Sequence, residues 1–123
     1  MARRDLTGAV DFGHLENFAA GDGALIDEVL ALFREQTQIW MRLLDPAGDP
    51  GAFHDAAHTL KGASLGVGAF DLAKACGEAE ANSGLDTVHR TVMASRVRDA
   101  LDAALADIAA YAHEQALKSL KTP

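Results

Sequence analysis

His58, Lys61 and Gly62 lie within the stretch 58–69, HTLKGASLGVGA, and bring a nucleophile, a cation and an empty position together at helical spacing. On a helix advancing about 100° per residue, Phe53, Ala56, Leu60, Ala63, Ser64 and Val67 gather on the side opposite His58, a small and apolar set suited to burial. His54, Asp55, Lys61, Gly62 and Leu65 fall on the histidine's own side, so the imidazole is expected near the middle of a solvent-facing surface. A neutral imidazole carries a lone pair on one ring nitrogen and is a ready nucleophile near neutral pH. Lys61, one turn on, puts a permanent positive charge beside whatever the ring accepts, which favours an anion such as a phosphoryl group. Gly62 stands at i+4, where a Cβ would lean back toward the imidazole. A glycine inside a helix costs about 1 kcal/mol relative to alanine, so its presence points to space kept open.

Other chemistry is weaker. His54 and His58 at i, i+4 have metal-ligand spacing with Asp55 close by, but there is no HExxH arrangement and no third ligand, so no metal is expected. No GxxxxGK[ST] run or glycine-rich lid is present, which argues against ATP as a direct donor and against a kinase or other enzyme. Leu65, apolar on the exposed face, and His54 are candidate partner contacts. His14, His89 and His113 read as surface residues.

A chain of 123 residues is enough for one core, and eleven basic against eighteen acidic residues give a net charge of −7 without any basic run. Nucleic acid is therefore not an expected partner, and other proteins are. The lone Cys76 falls on the apolar face of its helix and reads as a buried, reduced thiol. Arg3 and Arg4 are followed by Asp11, His14 and Glu16 rather than an apolar run, and no segment reaches transmembrane length. A cytoplasmic monomer without membrane contact is the expectation.

To position His58, the sequence offers helices only. The first ten residues read as a flexible lead, and Asp11 can cap a short helix to about Ala20. A long amphipathic segment from Asp22 to Leu44 carries Leu25, Val29, Leu32, Phe33, Ile39, Trp40, Leu43 and Leu44, with Phe33 and Trp40 assigned to the core. The breaker DPAGDPG precedes the His58 helix, which opens at Pro50 and runs to about Gly66. Gly68 is a stop, and a fourth helix over about 69–82 carries Phe70, Leu72, Ala73, Cys76 and Ala79. From about Asp86, Val88, Val92, Val97, Leu101, Leu105, Ile108 and Tyr111 define a last long helix. The fold class expected is all-α, an antiparallel up-and-down four-helix bundle with a short extra N-terminal helix. Its parts are a lead over 1–10, a bundle domain over 11–115 and a C-terminal helix extension or tail over 116–123.

This pattern resembles the histidine-containing phosphotransfer (HPt) domains of two-component phosphorelays. Their core motif is H-x-L-K-G followed by small residues and then G-A or G-L. His58, Leu60, Lys61, Gly62, Gly68 and Ala69 match in order and spacing, and the likeness extends through Leu72, Cys76 and Glu80 and upstream to Asp11, Leu15, Leu25 and Phe33, over roughly residues 11–112. The chain departs from the family at Ala63, where a hydroxyl-bearing residue is common; Ser64 follows it, on the core side of the wheel. Gly66 is an extra flexible position. The resemblance implies a stand-alone phosphocarrier. His58 would relay a phosphoryl group between the aspartates of response-regulator receiver domains, Lys61 would touch the phosphate, and Gly62 would leave room for it. Glu80 matches a family position that can hydrogen-bond and orient the imidazole; its other reading is a solvated carboxylate at a helix end. Hybrid or sensor histidine kinases are the implied further partners. The chain would need no cofactor of its own, Mg²⁺ being expected in the receiver. The competing readings are a helical adaptor that binds a kinase or receiver without being phosphorylated, and a metal-binding bundle.

Overall fold

The computed structural model describes residues 7–121, with the Lys121 side chain left aside. Residues 1–6, with Arg3 and Arg4, and residues 122–123 lie outside the described residues. Five helices and no strand are found among the described residues: α1 Phe12–Phe18, α2 Gly23–Leu43, α3 Pro50–Val67, α4 Phe70–Ala81 and α5 Thr87–Lys121. Helices α2, α3, α4 and α5 pack in sequence order, α5 returns to α2, and α1 lies on α3.

Local chemistry sets the helix starts. Asp11, Asp22 and Asp49 cap α1, α2 and α3, their carboxylates accepting the amides of His14 (3.1 Å), Leu25 (3.2 Å) and Ala52 (3.0 Å). Pro50 follows Asp49 at the first turn of α3, where a missing N–H costs nothing. Asp86 accepts the amide of His89 at 3.0 Å, and that bond, with the His89 side chain, holds its carboxyl below the ordinary value. Gly68 ends α3 in the left-handed region, at φ +83°, and a Cβ there would stand 2.8 Å from Asp11 O. Only glycine fits at that crossing, where Asp11 N also donates to Gly68 O at 2.9 Å.

The core is one cluster, with Leu15, Phe53, Leu60, Leu72, Cys76, Val97 and Ile108 almost completely enclosed. Buried hydroxyls are satisfied by their own helices: Thr37 donates to Phe33 O at 2.7 Å and Ser64 to Leu60 O at 2.6 Å. Burial pushes the Cys76 thiol up to about 11, which keeps it protonated.

The structure departs from the sequence expectations in four places of the fold. Residues 7–10 are not a loose lead: Asp107, buried on α5, accepts from Thr7 N and Thr7 Oγ1 (both 2.9 Å) and from Val10 N (3.4 Å), and Val10 enters the core. A buried carboxylate requires donors, and this segment supplies them. At the start of α5, Val88 is 70% exposed and Val92 is also exposed, while Arg90, Ala94 and Val97 face inward. Arg90 is enclosed because its guanidinium ties two turns together, donating to Pro46 O (3.0 Å), Ser83 O (3.3 Å), Leu85 O and Thr87 Oγ1 (3.3 Å). On α2 the buried stripe is Ile26, Leu30, Phe33, Thr37 and Met41. Leu25, Leu32, Ile39 and Leu43 are exposed, and Trp40 packs against the core from its edge. Phe70 is likewise exposed, its ring edge-on to His14.

Candidate functional site

The face that α3 turns outward carries His58, and its side chain is 65% exposed. The opposite side of the helix buries Phe53, Ala56, Ala57, Leu60, Ser64 and Val67, which fixes the rotation of α3 and aims the imidazole at water. The helical wheel anticipated this stripe except for Ala57, and Ala63 is only partly buried. Ser64 is on the core side, with its hydroxyl bound to its own helix rather than near the imidazole.

Glu80, in the last turn of α4, is the organising group. Its Oε2 lies 3.0 Å from His58 Nδ1 and its Oε1 lies 2.8 Å from Lys61 Nζ. The Lys61 ammonium and, after it, the His58 ring hold the Glu80 carboxyl below the ordinary glutamate range. A carboxylate can only accept, so the hydrogen at this contact is on His58 Nδ1. The lone pair of the neutral ring is then on Nε2, the nitrogen directed away from Glu80. Lys61 runs its stem past Gly77, where a Cβ would touch the lysine Cδ at 3.6 Å, an ordinary contact.

Gly62 has a different surrounding from the one the wheel suggested. A Cβ there would meet nothing within 4 Å, so the protein's own imidazole does not require the glycine. Gly66 is equally open, and His58, Gly62 and Gly66 follow one another at four-residue steps, leaving a lane of bare backbone beyond the imidazole. Beside the lane is an apolar groove lined by Phe18, Val29, Leu32, Phe33, Ala63 and Gly66. The sequence reading missed Phe18 and Leu32 as surface residues; the signal was the surplus of apolar residues on α2 over what one buried stripe needs. Leu65 is exposed on the His58 face as expected. His54, one turn before His58, has its Nε2 3.5 Å from Glu80 Oε2 and its Nδ1 3.3 Å from Asp55 Oδ1. Among the described residues no group of three or more His, Cys, Asp or Glu is arranged to hold a metal ion.

Comparison with known proteins agrees with this geometry. The Hpt domain family model matches residues 23–113, which include α2, α3, α4 and most of α5. The chain belongs to the Hpt domain family. A solved structure, the histidine phosphotransferase ShpA from Caulobacter crescentus, is 57% identical, with a TM-score of 0.76 over 92% of this chain and 99% of that one. No match was found among curated proteins. The protein is a histidine-containing phosphotransfer protein of a phosphorelay. Hpt proteins are phosphocarriers that work with receiver domains and histidine kinases. No described helix is long and apolar enough to cross a membrane.

Proposed function

We propose that His58 is the phosphoacceptor, taking a phosphoryl group on Nε2 from the phospho-aspartate of one receiver domain and passing it to the aspartate of another. The observation that carries this is the Glu80 contact, which occupies Nδ1 and leaves Nε2 as the exposed nucleophile. In the step, the Nε2 lone pair forms the N–P bond while the aspartyl O–P bond breaks, and its electron pair stays on the receiver's carboxylate. The ring becomes cationic, keeps its hydrogen on Nδ1 and donates it to Glu80 Oε2, and is stabilised by that carboxylate.

Lys61, 34% exposed, is close enough to leave Glu80 Oε1 for an oxygen of the incoming phosphoryl group. The open lane at Gly62 and Gly66 lets a receiver's surface approach the ring, and Leu65, His54 and the apolar groove give it contacts. Mg²⁺ belongs to the receiver in this reading, and the chain needs no cofactor of its own. We place the activity in the cytoplasm and in a monomer, away from membranes and nucleic acids; the net charge of −7 and the reduced, buried Cys76 support that placement.

The test is transfer from a radiolabelled phospho-receiver. Label should move to this chain, be acid-labile and base-stable, and be absent from His58→Gln. Label retained by that variant would overturn the assignment.

A further inference from the structure

Helix α2 carries two stripes of mainly apolar residues, and the bundle uses one. Ile26, Leu30, Phe33, Thr37 and Met41 face the core. The second stripe is Leu25, Val29, Leu32, Gln36, Ile39 and Leu43, at alternating steps of four and three residues. Leu25, Leu32, Ile39 and Leu43 are exposed, as is Gln36, and Val29 packs on the core from its edge. Such steps are the a and d positions of a heptad, the spacing by which one helix seats against another. The seam follows α2 for about 27 Å, at about 1.5 Å per residue. The apolar groove beside Gly66 takes in Val29, Leu32 and Gln36 but not Leu25, Ile39 or Leu43, so the seam continues past both ends of it.

The charges that flank the seam point to its occupant. On the side away from the buried stripe stand Glu28, Glu35 and Arg42, each seven residues from the next and all exposed. Two copies of α2 laid antiparallel about a two-fold axis level with Arg34 set Leu25 against the second copy's Leu43, Val29 against its Ile39 and Leu32 against its Gln36. The same operation puts Glu28 beside the second copy's Arg42 and Arg42 beside its Glu28, so one complementary pair is made twice. Glu35 meets its counterpart near the axis, a single like-charge contact. The two Gln36 amides also lie close to the axis, where a polar residue within an apolar seam fixes the register. A parallel pairing would instead aim Glu28 and Glu35 at Phe33 and Trp40 of the other helix and make no ion pair. One helix pair buries less than the roughly 800 Å² per partner of a standard interface, so the association is weak and follows concentration. Repulsion between two chains of net charge −7 is screened beyond about 8 Å at physiological salt.

We propose that α2 pairs antiparallel with α2 of a second copy of this chain, and that the pair is a resting form. It covers the groove and the bare Gly66 backbone across which a receiver reaches His58. The resting role rests on the relay reading, which keeps activity with the monomer, but the pairing can be tested without any phosphoryl donor.

Sedimentation equilibrium of the full chain, from micromolar to millimolar at constant salt, should show a reversible monomer–dimer equilibrium. Glu28→Arg and Arg42→Glu should each weaken it by roughly fivefold or more, because one reversal acts twice across the axis. The double reversal should bring the dissociation constant back toward that of the wild type, a rescue specific to a seam that binds itself. Glu35→Gln should tighten the pair. Circular dichroism checks that these surface variants are folded. Leu25→Cys and Leu43→Cys chains, mixed and oxidised with glutathione disulfide, should cross-link to each other in preference to themselves. The locked pair should lose phosphoryl acceptance from a phospho-receiver and regain it on reduction.

A chain that stays monomeric throughout, or a double reversal no tighter than the single ones, would overturn the proposal. Reversals that leave sedimentation unchanged and only raise KM for the receiver would overturn it too, by assigning the seam to the receiver. Cross-links mainly between like chains would overturn the antiparallel arrangement, and a locked pair as active as the reduced chains would overturn the resting role. Reversible pairing with no transfer to the wild-type chain at any dilution would instead overturn the acceptor reading and leave the α2 pairing standing.

Discussion

Glu80 Oε2 stands 3.0 Å from His58 Nδ1 and so ties the last turn of α4 to the exposed face of α3. A hydrogen bond to a charged group contributes about 1.5–3 kcal/mol, and in the transfer proposed above this bond would orient the ring and stabilise the cation formed. Glu80→Ala should slow phosphoryl acceptance by roughly tenfold or more, since each 1.4 kcal/mol is a factor of ten. Glu80→Gln, which keeps an accepting oxygen without the charge, should fall between the two. Time courses of label transfer from one phospho-receiver to the three proteins check this, with circular dichroism confirming that all are folded.

Lys61 tests the electrostatic part separately. Its ammonium is one-third exposed, so the attraction proposed between it and a phosphoryl group would be weakened by solvent and contribute on the order of 1 kcal/mol. Lys61→Ala should slow transfer by roughly fivefold, with the thermal midpoint little altered. The gap between variant and wild type should narrow as salt is raised, because a charge effect is screened and a shape effect is not. Equal rates at low salt would show the ammonium to be idle.

How far this could be read from the sequence depends on what kind of interaction does the work. The breakers were legible because their chemistry is local: Asp49 and Pro50 open α3 and Gly68 closes it whatever packs around them. The exposure of His58 followed from one helix's periodicity. The Glu80 contact did not, because it joins residues 22 positions apart on two helices, and only the resemblance to a family suggested it. The start of α5 was misread for the same reason. Val88 and Val92 look like a buried pair, but the rotation of that helix is set by Arg90 binding carbonyls of two turns, one of them 44 residues away. Residues 7–10 read as loose in the sequence because their anchor, Asp107, is about a hundred positions distant.

The lowered Glu80 carboxyl has a signed consequence for stability. A carboxylate whose folded value lies below its unfolded one contributes stability that is fully present above the unfolded value, near 4.3 for glutamate, and is lost as pH falls through the folded value. Urea midpoints of the wild type and Glu80→Gln should therefore differ at neutral pH, and the difference should shrink as pH falls from the unfolded value through the lower folded one. A constant difference across that window would mean that the side chain acts by packing rather than by its charge.

Arg90 and Val88 allow a direct contest between the periodic pattern and the observed packing. The Arg90 guanidinium is buried with four oxygen acceptors, so Arg90→Met leaves the carbonyls of Pro46, Ser83 and Leu85 without their donor. That loss should cost about 2–4 kcal/mol, measured as a lower urea midpoint, because buried acceptors deprived of a charged donor keep their desolvation cost. Val88→Thr, at a position 70% exposed, should change stability by no more than about 0.5 kcal/mol. Were Val88 part of the core, as its spacing with Val92 suggests, the same change would bury a hydroxyl and cost roughly 1–3 kcal/mol. The reverse ranking of the two variants would place the start of α5 in the rotation read from the valines.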